Sequence, residues 1–271
     1  MHLSLDGRPP ETQSLRVLGA VLDAGVTLID TADAYCLDED DVGHNERLIA
    51  AALRAWGGDR SKVMVATKGG VTRQGHRWGT DGSPAHLLAA CERSLRALGV
   101  ERIDLYQLHA PDSRVPFAES VGAMAELRRQ GKIRWVGLSN VSVDQIREAA
   151  SITPIASVQN RLNPFFREAL AEGVVRHCAQ QGIGFLAYSP TGGGRLNLKL
   201  PTHPVVARLA ERLDASPHAV VLAWVLSQSP TVIAIPSARS TEHALDSVSA
   251  ADLTLSPDDL SAIDAAEFSS A

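Results

Sequence analysis

The chain is poor in cysteine. Cys36, Cys91 and Cys178 are widely spaced, odd in number and never in a CxxC arrangement, so a disulfide framework or a thiolate zinc site lacks its raw material and no metal is expected. That usage fits a reducing cytoplasm. No run approaches the ~20 apolar residues that cross a bilayer, and the first ten residues lack the apolar stretch of a secretion signal, so no membrane partner is expected. Basic clusters are also missing. The balance of 26 Lys and Arg against 31 Asp and Glu gives a net charge of -5, which removes the electrostatic footprint of a nucleic-acid binder. Linkers, internal repeats and low-complexity tracts are absent, and Gly192-Gly193-Gly194 reads as a loop. What remains, 45% hydrophobic and 21% charged residues, is the composition of a globular chain with a large core. One α/β barrel domain spanning residues 1–271 accommodates that length.

Seven short apolar runs recur: Val26 to Ile29, Val63 to Ala66, Ile103 to Tyr106, Ile133 to Val136, Ile155 to Val158, Gly184 to Ala187 and Val232 to Ile235. They read as buried parallel strands. Segments of helical periodicity separate them, entered by turn or capping pairs such as Ser83-Pro84 and Ser216-Pro217. This alternation predicts a TIM (β/α)8 barrel. Seven strands are one short of eight, and only ten residues precede the helix expected to start near Glu11, so a first strand missing or truncated at the N-terminus is expected, with the natural start upstream of Met1.

The residues that end the runs carry the chemistry. They are Asp30, Lys68, His109, Ser139-Asn140, Gln159-Asn160, Ser189 and Ser237, with Tyr35 five positions after Asp30. A parallel barrel gathers strand ends on one face, which makes that mouth the candidate site. There Lys68 would stabilise the Tyr35 phenolate and bring the phenol toward its working range. Asp30 is the natural counter-charge for a buried Lys68, and His109 could orient a carbonyl or relay a proton. Neither metal-ligand spacing nor a nucleophile elbow competes. An acid catalyst without nucleophile or metal points to a cofactor that brings the attacking species.

These residues, in the stretches Leu28-Ile-Asp-Thr-Ala-Asp-Ala-Tyr35, Ala66-Thr-Lys68, Ile103-Asp-Leu-Tyr-Gln-Leu-His109, Gly131-Lys-Ile-Arg-Trp-Val-Gly-Leu-Ser-Asn140, Ser157-Val-Gln-Asn160 and Leu186-Ala-Tyr-Ser-Pro190, keep the order and spacing of the aldo-keto reductases, a superfamily the chain strongly resembles from about residue 10 to 265. The resemblance implies an NADPH-dependent barrel oxidoreductase. Hydride would pass to an aldehyde or ketone, reversibly, while Tyr35 protonates the oxygen with help from Lys68, Asp30 and His109. It implies that Ser139, Asn140 and Gln159 hold the nicotinamide carboxamide and that Tyr188 stacks on its ring. Ser189, Pro190, Thr191, Gly192 and Arg195 fall where the family wraps the pyrophosphate. Ser237, Ala238 and Arg239 match the 2′-phosphate site, and an Arg there favours NADPH over NADH. The resemblance also makes monomer the default and a small carbonyl compound the partner.

The chain departs from the family at three places. Cys36 replaces the glycine that usually follows the tyrosine, and would be strained if the site required positive φ. Asp246-Ser247 replaces the Glu-Asn pair at the adenine end. The first strand, whose following Gly-Thr turn normally touches the cofactor, is not represented. The missing strand and the altered adenine-end pair motivate an alternative, a regulatory or sensor protein that binds NADP(H) with weak or no turnover, which the intact set of Asp30, Tyr35, Lys68 and His109 argues against. A Schiff-base lyase using Lys68 is a third reading, opposed by Asp30 and Tyr35 standing in the reductase register. The loops Cys36 to His44, Thr72 to Ser83, Ala110 to Pro116 and Gly192 to His203 are expected to set substrate choice.

Overall fold

The computed structural model describes residues 2–271. The chain resolves into two compact units, residues 1–158 with 238–241, and residues 159–237 with 242–271. In the first unit, residues 2–7 form turns and no strand precedes helix α1 (Glu11–Asp23) among the described residues. Strand β1 (Leu28–Asp30) follows, then α2 (His44–Ala55), β2 (Met64–Gly69), a hairpin of β3 (Val71–Gln74) and β4 (Arg77–Thr80), and α3 (Pro84–Leu98). Next come β5 (Ile103–Leu108), α4 (Phe117–Arg129), β6 (Ile133–Ser139) and α5 (Val143–Ile152). β1, β2, β5 and β6 pair in parallel in that order. β7 (Ile155–Arg161) starts in this unit and ends in the second.

The second unit carries α6 (Glu168–Ala171), α7 (Val174–Gln181), β8 (Gly184–Tyr188), α8 (Gly193–Leu196), α9 (Pro204–Leu213), α10 (Pro217–Ser227), β9 (Val232–Ala234), α11 (Thr241–Ser249) and α12 (Pro257–Ala265), with β8 and β9 parallel. All seven expected strands are present, each close to its apolar run, and strand-helix alternation is the repeat of a (β/α)8 barrel. The ends differ in one instructive way: β2, β6 and β7 extend past their apolar runs to include Lys68, Ser139 and Gln159.

Local chemistry sets the helix limits. Ser83 caps α3 by accepting the His86 amide, Pro84 stands at its first turn, and Gly99 ends it with φ 67°. Ser142 and Gln145 form a capping box on α5, and Ser256 and Asp259 form another on α12. α10 is apolar on every side, burying Val220, Val221, Leu222, Trp224 and Val225, which fits a helix enclosed by its neighbours. The β3–β4 hairpin falls in a stretch read from sequence as a loop. Its turn needs Gly75 at φ 53°, and its strands are polar, so hydrophobic periodicity gave it no signal. No helix among the described residues is long and apolar enough to cross a membrane.

Candidate active site

Asp30 is the last residue of β1, and the chain beyond it stays tied to β2. The Thr31 amide donates to Ala66 O at 2.8 Å and the Asp33 amide to Lys68 O at 3.3 Å. Thr31 Oγ1 donates to Asn45 Oδ1 on α2 at 2.7 Å, and the Tyr35 amide closes a turn on Ala32 O. These bonds bring Tyr35 back over the end of β2. There Lys68, fully buried, spends its three ammonium hydrogens on three acceptors: Asp30 Oδ2 at 2.5 Å, Thr31 O at 2.8 Å and Tyr35 Oη at 3.1 Å. Nζ also stands 4.8 Å from the centre of the Tyr35 ring.

Electrostatics keeps this lysine charged. Burial pulls the ammonium toward deprotonation, but Asp30 and Tyr35 outweigh it and the net shift is upward. His109 goes the other way. Burial, and then the Lys68 charge, hold its imidazole well below the ordinary value of 6.5, so it is neutral near pH 7. Its ring meets the Tyr35 ring edge-on with centroids 5.6 Å apart, and its buried Nδ1 has no hydrogen-bond partner among the described residues. The structure therefore brings Asp30, Tyr35, Lys68 and His109 together within one unit.

At the end of β6, Asn140 adopts φ 59°, and its amide donates to His109 O at 3.0 Å and to Ser139 Oγ at 3.1 Å. Arg239 reaches the N-terminal turn, donating to Asp6 O at 3.1 Å, while its own carbonyl accepts from Gln13. Cys36 is buried, not in the positive-φ region, and donates weakly to Ala34 O, so the anticipated strain does not arise. Burial pushes its thiol up to about 11, which makes it unreactive.

In the second unit, Gln159 is buried at the end of β7 and Tyr188, at the end of β8, is partly buried. Ser189 has φ 48° and Gly192 φ 94°, and the segment turns into α8. Arg195 donates to Ser270 O at 2.5 Å, and the Phe268 ring stacks on His203 at 4.0 Å. Asp246 accepts from Ser216 at 2.7 Å, and Ser247 donates back to His243 O at 2.9 Å. Pro190 and Thr191 lie between Tyr188 and Gly192; Ser237 and Ala238 follow β9.

Sequence reasoning missed Gln107. This fully buried amide on β5 donates to Asp30 Oδ1 at 3.1 Å, so both carboxylate oxygens of Asp30 are held. The available signal was strand alternation: Gln107 is two residues before His109 and so shares its side of the strand. A second buried group, Asp33, also went unread, because nothing local separates it from a solvated loop carboxylate.

The aldo/keto reductase family model matches residues 1–267. An uncharacterized oxidoreductase of Schizosaccharomyces pombe is 35% identical over 240 residues, covering 88% of this chain and 74% of that protein. The glycerol dehydrogenase of Gluconobacter oxydans superposes with a TM-score of 0.83 at 29% identity, covering 94% of this chain and 85% of that one. A Klebsiella pneumoniae aldo/keto reductase, solved with NADP and acetate, gives 0.79 at 30% identity over 94% of this chain and 84% of its own. On these grounds, and on the strand-end chemistry that led to them, the chain belongs to the aldo/keto reductase family.

Proposed function

We propose that the chain is an oxidoreductase that reduces aldehydes or ketones with NADPH, reversibly, using Tyr35 as the proton donor. The observation that carries this reading is the saturated ammonium of Lys68. Because Tyr35 Oη accepts one of its hydrogens, the phenol's own hydrogen is left to point elsewhere, and the adjacent cation favours the phenolate that remains after the proton leaves. Asp30 keeps Lys68 charged and in place. A neutral imidazole at His109 serves to orient the carbonyl oxygen by a hydrogen bond rather than to act as an imidazolium acid.

Bound NADPH supplies the hydride. In the first unit, Ser139 and the pre-set amide of Asn140 offer the donors and acceptors a carboxamide needs. Arg239, with Ala238, is assigned to the 2′-phosphate. In the second unit, Gln159 is assigned to the carboxamide, Tyr188 to the nicotinamide face, and Ser189, Pro190, Thr191, Gly192 and Arg195 to the diphosphate. Ser237 joins the 2′-phosphate set, and Asp246 and Ser247 are assigned to the adenine end. The fit rests on charge: Arg195 and Arg239 each donate to a neutral backbone carbonyl, and neither pairs with a carboxylate among the described residues. Uncompensated guanidinium groups of this kind suit phosphate oxygens.

Purified chain with NADPH and a panel of aldehydes and ketones tests the proposal through NADPH consumption. Tyr35→Phe should lower kcat roughly 10²- to 10⁴-fold, the usual worth of a positioned acid. Turnover that survives this substitution unchanged would refute the role of Tyr35.

A further inference from the structure

Gln107 stands in register with Lys68 on one neighbouring strand and with Gly137 on the other. Its amide nitrogen donates to Asp30 Oδ1 at 3.1 Å, and its amide oxygen takes a 3.5 Å bond from Ser157 Oγ on the first half of β7. Space for this side chain comes from Gly137, where a Cβ would fall 2.4 Å from Ser157 Oγ and 2.7 Å from Gln107 Cγ. A β-carbon cannot be accommodated there without displacing the amide. The result is a continuous line of contacts, Ser157 to Gln107 to Asp30 to Lys68 to Tyr35, of which only the last three touch one another as charged or phenolic groups.

We infer that Gln107 is a positioning residue for proton transfer: by holding one oxygen of Asp30 it limits how far Asp30 neutralises Lys68, and so sets the field that Lys68 exerts on the Tyr35 phenol. The inference rests on the proposed role of Tyr35. A carboxylate whose charge is shared between two donors attracts each less strongly than one that faces a single donor. Without the Gln107 amide, more of the Asp30 charge falls on Lys68, the ammonium is drawn toward the carboxylate, and its pull on the phenolate weakens. Tyr35 then becomes a weaker acid. The other titratable groups around this line are His109 at the end of β5 and Asp33 on the Tyr35 loop. His109 is neutral, and Asp33 acts on Lys68 only at longer range, so neither substitutes for the amide.

The test uses Gln107→Met, which keeps length and volume without the hydrogen bonds, and Ser157→Ala, which only frees the amide to rotate. Tyrosinate formation is followed by ultraviolet difference titration of the protein alone. The chain has only three tyrosines. Tyr106 is fully buried and pushed well up, and burial also raises Tyr188, so the component lost in Tyr35→Phe identifies Tyr35. In Gln107→Met that component should move upward by about one pH unit, within the range a changed neighbouring charge produces. Ser157→Ala should move it the same way by less. In turnover, Gln107→Met should lower kcat roughly tenfold, about 1.4 kcal/mol, with KM nearly unchanged. A Tyr35 component that stays in place in both variants overturns the inference even if they are less stable. If Tyr35→Phe turns over normally, the proton-donor assignment fails and takes this inference with it. If Tyr35→Phe is inactive while Gln107→Met is indistinguishable from the parent, the positioning role alone is refuted.

Discussion

At the residue scale, the Lys68–Asp30 pair separates two quantities that mutagenesis usually confounds. Both side chains are shielded from water, at 0% and 8% exposure, so removing one partner leaves an uncompensated buried charge. Lys68→Met should cost roughly 3–5 kcal/mol of stability by that mechanism and should also abolish turnover. The double variant Asp30→Asn, Lys68→Met removes both charges, and in urea denaturation it should recover most of the lost stability while staying inactive. Recovery of activity along with stability would mean that the pair is a structural bridge and not part of the chemistry. The four residues of this cluster were legible in the sequence because each ends or closely follows an apolar run, where a charged or phenolic group has no packing reason to be. At Cys36 the family's glycine raised the question of a backbone demand, and the actual turn, closed by the Tyr35 and Cys36 amides on Ala32 and Ala34 oxygens, makes no such demand.

At the scale of elements, strands were legible and their polar extensions were not. Hydrophobic runs locate the strand segments that pack, whereas Lys68, Ser139 and Gln159 belong to their strands through backbone pairing that leaves no trace in composition. The segment Gly192 to His203, read as a loop, contains α8 and a tight 3₁₀ stretch from Asn197 to Thr202. Part of what holds it lies far away in sequence. The Phe268 ring stacks on His203 and meets Phe165 edge-on at 5.3 Å, His203 Nε2 bonds Glu267 O at 3.1 Å, and Lys199 donates to Ser269 O at 3.2 Å. Phe268→Ala removes the aromatic contacts, each worth about 0.5–1.5 kcal/mol beyond burial. Amide exchange across residues 193–203 should then accelerate roughly tenfold, corresponding to ~1.4 kcal/mol of local opening free energy, while exchange in the first unit is unchanged. Equal acceleration in both units would show instead that the ring supports global stability.

At the scale of the whole molecule, buried titratable groups give folding a pH dependence of unusual sign. Asp33, buried on the segment between β1 and α2, has one carboxylate oxygen with no hydrogen-bond partner among the described residues. Burial, and then the nearby Glu46, push it from 3.8 up to about 8. Glu46 is itself raised by burial, although Thr67 Oγ1 donates to it at 2.6 Å. For an acid whose folded value is raised, the folded chain keeps a proton that the unfolded chain has released, so stability is lost as pH climbs from the unfolded value to the folded one. Histidines lowered by burial, among them His109, His86 and His44, act oppositely, but their contribution is complete once pH exceeds about 6.5. The buried thiols, raised to about 11 for Cys36 and about 12 for Cys91 and Cys178, titrate only in stronger alkali. The interval from 6.5 to about 8 therefore belongs to Asp33. Across it the parent chain should lose roughly 1 kcal/mol of stability per pH unit, the worth of one proton held only by the folded state. Asp33→Asn should flatten most of that decline. Any constant cost of burying the new amide shifts the whole curve without changing its slope. Denaturant titrations at a series of pH values read the slope directly. A parent chain that gains stability over this interval, or an Asp33→Asn variant that keeps the parent's decline, would mean that Asp33 is ionised in the fold, in which case a cation or bound water must reach the oxygen that has no partner among the described residues.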